Sequence, residues 1–239
     1  MRNVLLCLFF CVLSVGSVSA YSFPMPTMNG SSGLARIPDA TVIPYKNWNL
    51  SLDYGTKYVA GGNPENVPSM YYKANLGTFQ NFELGLVGGY NNAGTDIREG
   101  VFINLKYSPN IGDGTDPLLL AIGVENLSSK TQTGLYMVAT KPFRQGPKLS
   151  FGFLADFPGN RFRPLGMAGL DIPVGTLSIL MDLFAGETVF QFNAGLRYFL
   201  FPTFALELRG VNILGDTNNA QAAKDPKQIL IGFSWANPF

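Results

Sequence analysis

The side chains with the most chemistry to offer recur at alternate positions. Asp53, Glu83, Glu125, Asp171, Asp182 and Glu207 stand between apolar or small neighbours, and so do Lys73, Lys106, Lys148, Arg197 and Arg209. In an extended strand this spacing puts each charge on one face. Charges gathered on a shared inner face either set the ion or solute preference of a pore or neutralise one another inside a closed interior. The near balance of signs offsets the cost of unpaired buried charge. Lys73 with Glu83, and Arg197 with Glu207, lie across short connections and are expected to pair directly or diagonally.

Other chemistry is thinly represented. The chain has no histidine, which removes Ser-His-Asp and Cys-His nucleophile systems, histidine metal sites and the commonest general base near neutral pH. Asp182 and Glu187 are spaced to attempt paired-carboxylate acid–base work, but no cleft signature accompanies them. Asp113, Thr115 and Asp116 resemble part of a calcium loop without its regular spacing or closing Glu, so a solvated turn is expected. Gly85, Gly88 and Gly89 lie inside a strand pattern and no Gly-Lys-Ser/Thr follows, so they do not form a phosphate loop. The expectation is a protein without catalytic residues, cofactor or metal.

The elements that position these groups are strands. One alternating set reads Trp48 to Tyr54, Met70 to Leu76, Phe82 to Tyr90, Val101 to Tyr107, Leu118 to Val124 and Leu135 to Ala139. It continues with Leu149 to Phe153, Ala168 to Ile172, Leu177 to Leu183, Phe190 to Tyr198, Phe204 to Leu208 and Ile229 to Trp235. Short period-2 runs separated by Gly, Asn, Asp and Pro predict an all-β chain of about twelve strands. No apolar run after residue 20 is long enough for a membrane-spanning helix.

Alternation alone fits two architectures. A soluble sandwich turns its apolar face inward, whereas an antiparallel transmembrane β-barrel turns it to lipid and its polar face to a lumen. Aromatic residues near strand ends (Trp48, Tyr54, Tyr90, Tyr107, Tyr198, Trp235) suit an interfacial girdle. Glycine on the polar face suits a crowded lumen or strand curvature. Tight connections at 77–81, 173–175 and 200–203 alternate with longer ones at 55–67, 91–100 and 211–227, and 108–117 is a longer turn than this scheme expects. Closure also removes exposed sheet edges. The barrel is the favoured reading. About twelve strands leave room for a narrow passage, between the eight that only hold side chains and the sixteen to eighteen of porins.

Composition agrees. The chain of 239 residues is 46% hydrophobic and 14% charged, with 27 Gly and 19 Phe. Seventeen Lys plus Arg against 16 Asp plus Glu gives +1, so there is no basic footprint for nucleic acid. Residues 1–20 have a basic start at Arg2, an apolar stretch and a small-residue end at Ala20, the order of a secretory signal peptide. Both cysteines, Cys7 and Cys11, fall within it, and no disulfide would staple the remaining chain. Residues 21–47 are rich in Pro, Ser and Gly and read as an extended arm, periplasmic or plug-like, before a barrel over 48–239.

The segment Gly33-Leu34-Ala35-Arg36-Ile37-Pro38-Asp39-Ala40 resembles the opening of bacterial outer-membrane barrels associated with exopolysaccharide operons. Asn104 to Tyr107, Leu120 to Glu125 and Leu135 to Lys141 are similar to later blocks of that family, and the likeness spans Gly33 to Phe153. It implies an outer-membrane location and a link to the export or organisation of surface polysaccharide, with polysaccharide or export components as partners beside outer-membrane lipid. The C-terminus resembles a barrel-assembly signal, carried by Gly232, Phe233, Trp235 and Phe239, with Asn237 and Pro238 interrupting the usual alternation. The function expected is a small channel or export-associated barrel. The alternatives are a closed structural or adhesive barrel and a secreted β-sandwich.

Overall fold

The computed structural model describes residues 23–59, 65–91, 100–109, 117–129, 132–143, 146–159, 161–187, 189–214 and 227–237. The leader, the Asp113 turn and Phe239 lie outside these residues. The strands are β1 Trp48–Val59, β2 Glu65–Phe79, β3 Phe82–Asn91, β4 Phe102–Tyr107, β5 Leu119–Glu125 and β6 Gln132–Pro142. They continue as β7 Lys148–Pro158, β8 Arg163–Val174, β9 Leu177–Ala185, β10 Phe190–Phe201, β11 Phe204–Val211 and β12 Lys227–Asn237. Each pairs antiparallel with the next, and β12 returns to β1 to close a twelve-stranded barrel. Among the described residues there is no helix.

Every alternating segment read from the sequence is a strand, but the connection expected at 55–67 is shorter. β1 and β2 remain paired through Gly55↔Ser69 and Tyr58↔Asn66. The polar residues there still alternate: Lys57 and Ser69 turn inward and are buried, while Tyr54 and Tyr58 stay exposed. The two-residue β2–β3 connection is accommodated by Asn81 at φ 63°, a left-handed conformation that asparagine tolerates.

The outer surface is apolar. Leu50, Met70, Ile122, Met137, Phe151, Leu208, Ile229 and Ile231 are all exposed. Outward positions of the described strands carry charge only at Lys141 and Lys227, each close to a strand end. At the rim with the short turns stand Phe79, Tyr107, Phe143, Tyr198, Phe201 and Trp235, and at the opposite rim Tyr58, Phe162 and Phe190, all exposed. Tyr54, expected near a strand end, lies mid-strand opposite Ile231 because β1 runs on to Val59. Trp48 meets Trp235 edge-on at 5.3 Å between ring centroids. An uncharged band between two aromatic rims is the surface a lipid bilayer requires, and water would penalise it.

Candidate functional site

The lumen is occupied by the chain's own N-terminal arm. Met25, Leu34, Ala35, Ile37, Ala40 and Ile43 are between 0 and 2% exposed, although none belongs to a barrel strand. The arm folds through two reversals, closed by bridges between Pro26 and Ser32 and between Gly33 and Pro38. Thr27 N donates to Ser31 O at 2.7 Å and Leu34 N to Ile37 O at 3.0 Å. Both ends of the arm lie at the short-turn rim. Phe23, Met25 and Ile43 pack there on Phe199, Ala205 and Ala236, and Lys46 N donates to Gly77 O. A Cβ on Gly77 would stand 2.0 Å from Pro44 O, so this close approach of arm to wall needs glycine.

A buried backbone without sheet partners must find others, and the wall's charged side chains supply them. On one side of the lumen, Asp53 pairs with Lys73 and with Arg209, both at 2.5 Å. Glu207 pairs with Arg197 at 3.2 Å and with Arg209. The donors left over are aimed at the arm: Arg209 donates to Pro26 O at 2.8 Å, Lys73 to Thr27 O at 3.0 Å and Arg197 to Gly33 O at 3.3 Å. Elsewhere carboxylates receive the arm's amides. Glu83 accepts from Ser32 N at 2.8 Å, Ser32 Oγ at 2.6 Å and Ile43 N at 3.1 Å. Asp182 accepts from Arg36 N at 2.8 Å. Lys106 stands 3.6 Å from Glu83 and donates to Ser32 O, Ser32 Oγ and Asp39 O.

The side chains expected to line the lumen, Asp53, Lys73, Glu83, Lys106, Glu125, Asp182, Arg197, Glu207 and Arg209, are all buried in its interior. The expected Arg197–Glu207 pair forms, as these residues are register partners. The Lys73–Glu83 pair does not. The β2–β3 register sets Lys73 opposite Val87 and Glu83 opposite Gly77, about 13 Å apart along the strand, so each takes a cation or anion from its other neighbour. Asp182 and Glu187 are also separated, with Asp182 inside the barrel and Glu187 exposed beyond the end of β9. That excludes the acid–base pairing. Gly232 faces Asp53, whose Oδ1 lies 2.1 Å from where a Cβ would stand. Phe233 stacks on Phe204 with centroids 6.0 Å apart, and Trp235 lies at the short-turn rim.

Part of the lumen is apolar, against the expectation of a polar lining throughout. Ala121, Val138, Leu154, Leu165, Met167 and Phe184 face inward from β5 to β9 and pack on Leu34, Ile37 and Ala40 of the arm. The signal was present in the inward positions of β6 to β9, where Tyr136, Val138, Leu154, Leu165, Met167, Leu180 and Phe184 stand among the polar residues, while those of β1 to β4 are mostly polar or glycine. Arg36, which caps Phe184 at 5.4 Å and donates to Gln191 at 2.9 Å, and the Asp156–Arg163 pair are interior charges that alternation alone did not single out.

No family model matches the chain, and no curated protein matches it in sequence. Among solved structures it is similar to the NanC porin, with a TM-score of 0.53 at 13% identity over 77% of this chain and 98% of that one. The fold is a porin-like barrel. The KdgM porin aligns with a TM-score of 0.49 at 12% identity over the same shares. The porin-like barrel differs from an open tube in holding the arm from Phe23 to Ile43 within its wall.

Proposed function

We propose that the protein is a non-enzymatic barrel of the bacterial outer membrane whose N-terminal arm plugs its channel. The resting molecule does not conduct, and solute passage requires the arm to leave. The observation that carries this reading is the burial of the arm against paired lumen charges. Lys73, Glu83, Lys106, Asp182, Arg197 and Arg209 of the wall each meet an arm backbone group, so the arm takes up much of the interior's charge as well as filling its volume. The uncharged outer band and its aromatic rims support the membrane location, and the likeness to a porin fold supports the channel architecture.

The association with surface polysaccharide rests on the blocks Gly33 to Ala40, Asn104 to Tyr107, Leu120 to Glu125 and Leu135 to Lys141. Its test is the amount of cell-surface polysaccharide after deletion of the gene. Unchanged polysaccharide would remove that part of the proposal and leave the plugged barrel standing.

The plug is tested in planar bilayers with protein whose heat-modifiable gel mobility establishes folding. The full mature chain is expected to be silent and a variant lacking residues 21–45 to conduct. The open variant's ion preference is expected to shift when Lys73, Lys106 or Arg209 is neutralised. Sustained conductance by the full chain, equal to that of the deletion variant, would refute the plug.

A further inference from the structure

At the rim with the long connections, a cavity of about 50 Å³ lies between the arm and the wall from β5 to β10. The arm contributes Asn29 and Arg36, the wall Glu125, Gln132 and Gln191, and Leu154, Leu165 and Phe184 line an apolar side. Glu125 is 4% exposed. One of its oxygens, Oε2, accepts from Asn29 Nδ2 at 3.0 Å, while Oε1 is buried with no hydrogen-bond partner. Among the described residues no cation stands within ion-pair distance of it. A buried carboxylate oxygen in this position calls for a donor from whatever enters the cavity.

The charge of the lining decides what kind of donor. Arg36 and Arg163 balance Glu125 and Asp156, and Asp156 is already engaged by Arg163 and by Gln132 Nε2 at 3.2 Å. Among the described residues the lining is therefore formally neutral, and a cation entering the cavity would leave net charge in a confined space. We infer that this cavity is a recognition site for a small neutral solute bearing hydroxyl groups. One hydroxyl donates to Glu125 Oε1, the amides of Gln132 and Gln191 supply further donors and acceptors, and the carbon skeleton rests on the Leu165 and Phe184 side. The volume accommodates roughly three to five water-sized groups, the scale of a three-carbon polyol or one edge of a larger one. Because Asn29 and Arg36 belong to the arm, the site exists only while the arm is seated. The inference thus rests on the plugged reading and adds a ligand that recognises the plugged state.

The test is ligand-observed saturation-transfer NMR on the detergent-folded full chain, with glycerol as the neutral probe and methylammonium as the cationic one. Saturation transfer to glycerol, at a Kd on the order of millimolar, is expected for the wild type and for Glu125→Gln, which keeps an acceptor. Loss of transfer is expected for Glu125→Leu and for Gln191→Leu, the second variant guarding against misfolding of the first. No transfer to glycerol, transfer to methylammonium alone, or transfer undiminished in both leucine variants overturns the site. Conductance separates the two ideas: a full chain that conducts refutes the plug, whereas a silent chain without glycerol transfer refutes only the solute site.

Discussion

The placement of the arm is open to a covalent test at Ala35 and Gly195. Ala35 is fully buried in the arm, and Gly195 faces inward from β10 between Asn193 and Arg197. A Cβ built on Gly195 stands 3.8 Å from the Cβ of Ala35, at the mean separation of disulfide-bonded pairs. The double variant Ala35→Cys with Gly195→Cys is expected to form this bond on mild oxidation. The added Cβ would also lie 3.1 Å from Leu208 O, so β10 must yield by a few tenths of an ångström. With 159 residues between the two positions, the chain-entropy relation gives a stabilisation of about 5 kcal/mol before strain is subtracted. The sequence has no cysteine beyond Cys11, so in protein produced from residue 21 onward these are the only thiols. The assay is thiol titration of the folded protein with non-reducing gel mobility, followed by urea unfolding with and without reductant. A bond that forms, and an unfolding midpoint that falls on reduction, support the seated arm. Two thiols that stay reactive in folded, oxidised protein would refute it.

Further expectations follow from the same contacts. Glu83→Ala leaves Lys106 without its counter-ion and the Ser32 and Ile43 amides without acceptors, so it should cost about 3–5 kcal/mol; Asp171→Ala, whose Lys148 partner is 3.9 Å away and partly exposed, should cost far less in the same urea titration. Ile231→Arg, at an outward position 66% exposed near the middle of β12, should lower barrel stability in lipid by about 2–4 kcal/mol. A neutral effect in vesicles would argue against a lipid-facing wall. Gly77→Val should push the arm from the wall where it meets Pro44 and raise the frequency of opening events in bilayer recordings, with unaltered silence as the contrary result.

Much of the wall was legible in the chain. Each strand needs only its own residues to reveal a two-residue period, and the sign of each face follows from a handful of side chains such as Leu50, Leu52 and Tyr54 against Asn49, Ser51 and Asp53. The membrane orientation was legible too, since glycine-spaced charge on one face and aromatic strand ends on the other suit a lumen and a lipid boundary. Pairing was less so. Arg197 and Glu207 could be matched because they stand at nearly equal distances from the short β10–β11 connection, and the irregularity between Phe199 and Phe201 leaves them opposite. Lys73 and Glu83 do not meet, because Lys73 lies six positions from the end of β2 and Glu83 only one from the start of β3, and the neighbour that each finds on its strand's other edge depends on the whole ring.

The arm marks the limit most clearly. Residues 23–47 have no period, and their Pro, Ser and Gly content announces irregular backbone without saying where that backbone goes. Its hydrogen bonds run to side chains far along the chain: Arg36 N to Asp182 across 146 residues, and Arg209 to Pro26 O across 183. Such partners exist only once β12 has closed on β1 and the inner faces surround a common space. The amino-acid order determined which residues face inward, because alternation is a local property of an extended chain. Closure of the ring decided which of them meet, and that an aperiodic segment should satisfy them, because burying charge and backbone together requires partners that no local sequence can supply.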